Sequence, residues 1–250
     1  MGQLHHFLLP VPCPENQDLL TEKHIEWNVL HHIKVLRIKK TELIRLMDGN
    51  GGIIEAQCVQ SKPYEFRVLQ RLRQKELNPK IELCLAPPRG DLNETLHQAT
   101  EIGVSSIRFL KTDFSQYASH LEAPVLKSQR VADASCEQST RAWKCAIQPG
   151  WFQVSQCLEE PGIHIFADES LAAIEPECIG LAGALPNFNA NVPMIRIYIG
   201  SEGGWSERER RLFDGKGTAL SLGSLILRVP TAVVAAVHFV RTVYSHSVTR

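Results

Sequence analysis

Two glycine-rich loops, each directly after an apolar strand, constrain the fold of this chain more than any other feature. In residues 194–199 isoleucines alternate with Arg196 and Tyr198, and this period of two predicts a strand. The next five residues, 200–204, read Gly-Ser-Glu-Gly-Gly. Because glycine has no Cβ atom, such a loop lets the backbone turn through positive φ and approach a ligand closely.

The second loop repeats this arrangement. A strand is predicted over about residues 219–222, and the chain then passes through Gly223 and Arg228 into a helix with Pro230 in its first turn. Two neighbouring strand–loop–helix units predict an α/β fold with a ligand site at the strand ends. The loops contain neither Gly-x-Gly-x-x-Gly nor Gly-Lys-Ser/Thr, the patterns that hold phosphates, so a dinucleotide-dependent oxidoreductase is a distant alternative.

Strands and helices alternate from residue 81 onward, which indicates a mostly parallel sheet in a domain over residues 76–250. A long helix predicted over about 122–144 carries Arg141. Residues 175–193 hold three prolines and are expected to form a surface loop. The other predicted elements of this domain are strands at 81–86, 104–110 and 163–167 and a helix at 88–102.

Residues 1–75 predict a separate, small β-rich domain with one helix. Apolar residues at helical spacing place the helix over about 21–37. Asp-Gly-Asn-Gly-Gly at 48–52 predicts a hairpin turn, and alternation at 64–68 predicts another strand. The charged residues 69–80 are expected to form a linker to the second domain.

The formal net charge is zero, but it is unevenly distributed. Residues 1–80 carry 12 Lys/Arg and 9 Asp/Glu, a balance of +3, whereas residues 81–250 carry 15 and 18, a balance of −3. The densest cluster of cations is Lys34, Arg37, Lys39 and Lys40. Such a cluster forms either a solvated face or a surface for an anionic partner.

The positions of cysteines and histidines, together with the hydropathy of the chain, argue against several other classes of protein. Seven cysteines without a Cys-x-x-Cys pair indicate reduced thiols and a cytoplasmic protein. The histidines near the N-terminus lack cysteine or carboxylate at ligand spacing, so no metal site is expected. The most apolar stretch, 222–244, is interrupted by charged residues and a proline, which argues against a membrane span.

Four motifs, in order along the chain, resemble the RsmE family of the SPOUT superfamily. They are Ala-Thr-Glu-Ile-Gly-Val at 99–104, Glu-Gln-Ser-Thr-Arg at 137–141, Ile-Gly-Ser-Glu-Gly-Gly at 199–204, and Leu-Gly-Ser-Leu-Ile-Leu-Arg at 222–228 followed by Thr231 and Ala232. Members of that family methylate N3 of a uridine in small-subunit (16S) ribosomal RNA. The resemblance covers nearly the whole chain.

The resemblance implies a homodimer that carries a PUA-like barrel ahead of a methyltransferase domain with a trefoil knot. It implies S-adenosylmethionine as cofactor, Arg228, Arg141 and Glu202 as catalytic candidates, and ribosomal RNA or the small subunit as partner. Phosphate contacts are then expected at Lys34, Arg37, Lys39 and Lys40. The residues expected to hold the cofactor are Ile199, Gly200, Ser201, Glu202, Gly203, Gly204, Leu222, Gly223, Ile226 and Leu227.

The chain departs from the family pattern at two places in these loops. Ser201 stands where the family has proline, and Val229-Pro230 stands where it usually has Thr-Glu. Two alternatives therefore remain open. The resemblance favours an S-adenosylmethionine-dependent uridine-N3 methyltransferase, and the alternatives to it are a SPOUT methyltransferase for another RNA or another atom and a catalytically silent RNA-binding scaffold.

Overall fold

A computed structural model of the chain describes residues 4–115, 124–170, 179–181 and 194–245. The chain divides into two compact units. The first comprises residues 1–76 and 133–144, and the second comprises residues 77–132 and 145–250. Segment 133–144, which the sequence places in the second domain, thus belongs to the first unit.

The first unit is built on a five-stranded sheet in the order β1-β3-β4-β5-β2. β1 pairs parallel to β3, and the other pairs are antiparallel. The elements are β1 (Leu4–Leu8), β2 (Leu19–Thr21), a 3-10 turn (Glu22–His24), α1 (Trp27–Leu36), β3 (Leu43–Met47), β4 (Gly52–Ser61) and β5 (Tyr64–Arg73). Val29, Leu30 and Ile33 of α1 are buried in this unit's core.

The β-rich prediction for this unit is confirmed, but closure into a barrel is not observed. In the part of the unit that the structure describes, the edge strands β1 and β2 do not pair with each other. The predicted hairpin turn is present, and it joins the antiparallel strands β3 and β4. The Asp48 carboxylate stabilises the turn by accepting hydrogen bonds from the backbone N–H groups of Asn50 and Gly52, both at 2.8 Å.

Two sequence boundaries in this unit are wrong. The helix predicted from residue 21 begins at Trp27, after the 3-10 turn, and ends at Leu36, because Arg37 adopts a left-handed conformation. The linker predicted from residue 69 is still strand as far as Arg73. There the antiparallel ladder with β4 holds the charged segment, with Gly52 paired to Arg73.

The second unit is an α/β structure around a seven-stranded sheet in the order β10-β12-β9-β11-β6-β7-β8. All neighbouring strands are parallel except β10 and β12, so the predicted, mostly parallel sheet is confirmed. The strands are β6 (Ile81–Leu85), β7 (Ser106–Leu110), β8 (Ala146–Phe152), β9 (Ile163–Ala167), β10 (Ile179–Leu181), β11 (Ile195–Ile199) and β12 (Thr218–Leu222). β10 lies within the predicted surface loop 175–193, whose other residues up to 193 are outside the described residues.

Helices flank the sheet, and the sheet separates two apolar cores. Leu96 of α2 and Val233 of α6 pack into one core, whereas Phe213 and Trp205 pack into the other with Leu158 of α4. No helix in the described ranges is long and apolar enough to cross a bilayer. The helices are α2 (Leu92–Glu101), α3 (Val125–Gln138), α4 (Val154–Leu158), α5 (Glu207–Leu212) and α6 (Val229–Ser245). Residues 133–138 of α3 belong to the first unit.

The long helix predicted over 122–144 ends six residues early, so Arg141 is not on a helix. Thr140 adopts a left-handed conformation with φ of 56°, and the Arg141 N–H donates to the Cys136 carbonyl at 2.9 Å. A left-handed residue directly after the last turn is a common way for a helix to end. Arg141 is buried and belongs to the first unit.

Candidate functional site

An open cavity of about 240 Å³ lies at the carboxyl ends of β9, β11 and β12, which are neighbours in the sheet. The loops after these strands and the first turn of α6 form its walls. Ligands of α/β proteins bind in this position, beyond the carboxyl ends of the strands. Both glycine-rich loops therefore meet at one site, as the sequence predicts.

The first loop is a tight turn over residues 201–204. The Gly204 N–H donates to the Ser201 carbonyl at 2.9 Å, and Gly204 has a φ of +66°. A Cβ atom on Gly200 would lie 3.1 Å from the Gly204 backbone, so a side chain there would require the turn to shift by a few tenths of an ångström. The absence of side chains at Gly200 and Gly204 leaves main-chain groups facing the cavity.

Ser201 is a buried polar residue on the cavity wall, with 7% of its surface exposed. Its hydroxyl has no hydrogen-bond partner within the described part of the chain. Buried polar atoms are nearly always paired. An unpaired hydroxyl at a cavity is consistent with a ligand that completes its hydrogen bonding.

The end of β9 forms a second wall and is tied to the first loop. The Trp205 indole N–H donates to the Ala167 carbonyl at 2.8 Å. The buried Asp168 carboxylate accepts from Nε of Arg210 on α5 at 3.1 Å. These contacts hold the cavity wall formed by the end of β9 in place against α5 and the first loop. The next residue, Glu169, also lines the cavity.

The second loop contributes mainly apolar surface. Gly223 has a φ of +97°, and the exposed side chains of Leu225 and Ile226 follow on the rim. Val229 and Ala232, on the first turn of α6, are buried against the cavity. Val229, one of the two departures from the family pattern, thus adds an apolar wall rather than a hydrogen-bonding group.

Arg228 lies on the rim with 76% of its side chain exposed. Its guanidinium is 3.5 Å from the carboxylate of Asp91, the N-cap residue of α2. An ion pair between two exposed side chains contributes little to stability. The pair therefore does not account for an arginine at this position, and the guanidinium can exchange Asp91 for a ligand at small cost.

Nine of the ten residues predicted to hold the cofactor line this cavity: Ile199, Gly200, Ser201, Glu202, Gly204, Leu222, Gly223, Ile226 and Leu227. Gly203 is the exception, since a Cβ atom there would meet Phe114 at 2.9 Å. Arg228 and Glu202 are also on the lining, and the Glu202 carboxylate accepts from the backbone N–H of Arg89 at 2.8 Å. Arg141 is not among the lining residues.

Sequence reasoning missed the contribution of β9. A usable signal was present, because the predicted strand at 163–167 is followed directly by two carboxylates. The rule that parallel strands present their carboxyl ends at one edge would have brought Asp168 and Glu169 to the site. The lining residues that were not predicted are Ala167, Asp168, Glu169, Trp205, Leu220, Leu225, Val229 and Ala232.

A separate cavity of about 720 Å³ lies in the first unit and gathers the predicted basic cluster. Glu22 is the one carboxylate on its lining, and Lys34 Nζ lies 2.9 Å from it. This hydrogen bond, together with one from the Tyr64 N–H, lowers the pKa of Glu22. The cations on the lining are Lys34, Arg37, Lys39, Lys40 and, in addition to the prediction, Lys62.

Comparison with known proteins places the chain among RNA-modifying proteins. The RNA methyltransferase domain family matches residues 75–241. A protein named ribosomal RNA small subunit methyltransferase E from Synechocystis is 29% identical over 217 residues, which are 83% of this chain and 68% of that protein. The protein of the same name from Rickettsia conorii is 26% identical over 235 residues, 92% of this chain and 91% of its own length.

Solved structures show the same fold. A ribosomal RNA small subunit methyltransferase E from Neisseria gonorrhoeae, bound to S-adenosyl methionine, aligns with a TM-score of 0.78 at 24% identity and covers 96% of this chain and 98% of its own. A putative methyltransferase from Legionella pneumophila, in complex with the same cofactor, aligns with a TM-score of 0.75 at 22% identity and covers 96% and 98%.

Proposed function

The chain belongs to the RNA methyltransferase domain family, and from this premise we propose that it transfers a methyl group from S-adenosylmethionine to N3 of a uridine in small-subunit ribosomal RNA. The observation that carries the proposal is the convergence of both glycine-rich loops on one strand-end cavity. The relatives from Synechocystis and Rickettsia, both named as small-subunit methyltransferases, support the RNA substrate.

The lining of the cavity fits the cofactor, which supplies a methyl group bound to a positively charged sulfur. Leu222, Leu227 and Ala232 provide an apolar surface suited to an adenine ring. The unpaired Ser201 hydroxyl suits the polar groups of the ligand. Glu169 places a carboxylate on the lining, where a negative charge favours a cation.

Arg228 is proposed to act on the uracil ring. Removal of the N3 proton leaves negative charge on the ring oxygens, and a nearby guanidinium stabilises that charge most as it develops. Glu202 is proposed to brace the first loop through its hydrogen bond with Arg89. Arg141 is proposed as a second catalytic residue after Arg228. It ranks second because only 8% of its surface is exposed.

The finer features of the fold belong to the same proposal. We propose that the loops 199–204 and 222–228 form the trefoil knot, and that the first unit is a PUA-like RNA-binding module. The protein is further proposed to act as a homodimer in the cytoplasm. Both solved methyltransferases align over 96% of this chain, which supports a shared fold along both units.

The basic cavity of the first unit is proposed to contact RNA phosphates. Five lysine and arginine side chains line it against one carboxylate, although the whole chain has no net charge. Contacts with phosphates supply much of the affinity of proteins for nucleic acids. A locally basic surface is therefore sufficient for an otherwise neutral chain.

A catalytically silent RNA-binding scaffold is the second candidate. The observation in its favour is Val229, which puts an apolar side chain on the lining where the family pattern usually has threonine. A scaffold has no need for the cofactor, whereas an enzyme does. Titration of the protein with S-adenosylmethionine therefore separates the two candidates.

Methyl transfer is tested with purified small ribosomal subunits and their deproteinised RNA, both from cells that lack the protein. The expected result is incorporation of label from methyl-labelled S-adenosylmethionine, recovered as N3-methyluridine after digestion. Large-subunit RNA serves as control and should remain unlabelled. Label at another atom would favour the alternative methyltransferase, and cofactor binding without transfer to any RNA would contradict the proposal.

A further inference from the structure

An exposed aromatic pair lies on α1 of the first unit. Trp27 has 71% of its surface exposed. Its ring stacks on that of His31, one helical turn away, with centroids 5.3 Å apart and planes 13° apart. Most of the aromatic surface of Trp27 therefore lies outside the core, next to the His31 ring.

The pair shares one face of the helix with the basic cavity. Trp27, His31 and Lys34 recur at spacings of four and three residues, which places them on the same side of α1. The opposite side, with Val29 and Ile33, packs into the core. At ~1.5 Å of rise per residue, Trp27 and Lys34 are about 10 Å apart along the helix axis.

We propose that this face binds an unpaired segment of the RNA substrate, with a base stacked on Trp27 and the adjoining phosphates in the basic cavity. The inference rests on the proposed function, because it takes RNA as the substrate. Unpaired bases are commonly recognised by stacking on aromatic side chains, and basic grooves follow the backbone. The basic cluster predicted from the sequence does not include Trp27, His31 or Lys62.

The charge of the surface favours RNA over a protein partner. Lys34 is hydrogen-bonded to Glu22, and the cavity lining adds Arg37, Lys39, Lys40 and Lys62 without a further carboxylate. A polyanion balances these charges at regular spacing. A protein partner with an apolar helix would instead pack against both Trp27 and the exposed Val35, which is on the same helix as Trp27.

The inference is tested with a single-stranded 12-nucleotide oligouridylate and a 12-base-pair RNA duplex as probes. Affinities are measured at several salt concentrations for the parent and for Trp27→Ala, Trp27→Phe and Val35→Ala. Base stacking on an aromatic side chain contributes enough that its loss should weaken single-strand binding about tenfold. The salt slope should be unchanged, because no charge is removed.

The controls assign the effect to stacking. Trp27→Phe should keep most of the affinity, and Val35→Ala should equal the parent. Tryptophan fluorescence should be quenched by oligouridylate in the parent and much less in Trp27→Phe. Thermal unfolding and S-adenosylmethionine affinity should be the same in all variants, which shows that folding is intact.

The inference is overturned if the parent does not bind oligouridylate or if Trp27→Ala binds it like the parent. Equal weakening by Val35→Ala would instead indicate a protein-docking surface, and equal weakening for duplex and single strand would contradict stacking. These outcomes differ from failure of the proposed function. If the proposed function is wrong, neither the parent nor any variant transfers a methyl group to small-subunit RNA.

Discussion

The two cavities of the molecule differ in what forms their walls. In the second unit the walls are backbone turns, apolar side chains and one unpaired hydroxyl at the ends of parallel strands, with the charged residues Asp168, Glu169, Glu202 and Arg228 among them. In the first unit they are long, exposed cations around a single carboxylate. The first kind of site selects a ligand by shape, whereas the second attracts any polyanion and is weakened by salt. A methyltransferase for RNA needs both kinds.

Replacement of Gly204 by valine should break the shape-selective cavity. A branched side chain is strained at a φ of +66°, and its Cβ atom would meet the Glu169 carboxylate at 2.7 Å. We expect the affinity for S-adenosylmethionine, measured by calorimetry, to fall by up to about a hundredfold, since residues forced into this conformation cost ~1–3 kcal/mol. Gly215→Val is the matched control, because Gly215 has a φ of +70° and open space around it. Equal loss in both variants would contradict the account.

Replacement of Arg228 by alanine should separate cofactor binding from turnover. Loss of one group that stabilises developing charge lowers kcat by roughly a hundredfold or more, while we expect cofactor affinity to stay within about tenfold. Asp91→Ala, which removes the ion-pair partner and keeps the guanidinium, should retain activity. If Asp91→Ala matches Arg228→Ala in single-turnover assays, then the arginine serves only the ion pair.

The basic cavity should respond to salt and leave the cofactor site unaffected. Changing Arg37, Lys39 and Lys40 together to alanine should weaken RNA binding and lower the slope of log affinity against log salt by about two units, at ~0.7 per phosphate contact with a single strand. S-adenosylmethionine affinity should be unchanged. The control triple, Arg208, Arg211 and Lys216 to alanine, removes the same charge from exposed cations that are already paired with carboxylates. If both triples lower the slope equally, only total charge matters.

The smallest effect is expected at Ser201. With the cofactor bound, Ser201→Ala should lose one hydrogen bond, about 1 kcal/mol, and weaken S-adenosylmethionine binding about fivefold. Without the cofactor, thermal stability should be unchanged or higher, because a buried hydroxyl without a partner is removed. Ser224→Ala, in the exposed part of the second loop, should change neither quantity. A drop in stability of the cofactor-free Ser201→Ala variant would mean that the hydroxyl has a structural role.

The sequence predicts the strand-end cavity well for a physical reason. Strand alternation and the glycines after it are local signals, and in a parallel sheet they fix where a loop lies. Gly203 shows the limit of this reasoning, since its neighbour Phe114 is distant in the sequence. Which glycine faces the cavity and which faces a packed ring depends on tertiary contacts that no local pattern carries.

The predictions failed where a tertiary or backbone detail overrides composition. The sequence predicts Arg141 on a helix over 122–144, whereas the left-handed Thr140 follows the end of that helix at Gln138. Residues up to Arg73 read as a charged linker, yet the ladder with β4 keeps them in a strand. The Trp27–His31 pair was also missed, because exposure of an aromatic residue on an amphipathic helix is decided by which face packs.

The central claim is that this chain methylates N3 of a uridine in small-subunit ribosomal RNA. The most direct test maps uridine methylation by mass spectrometry on that RNA from cells with the protein, without it, and with the Arg228→Ala variant in its place. We expect one N3-methyluridine that is absent without the protein and strongly reduced with Arg228→Ala. An identical methylation map in all three samples would contradict it.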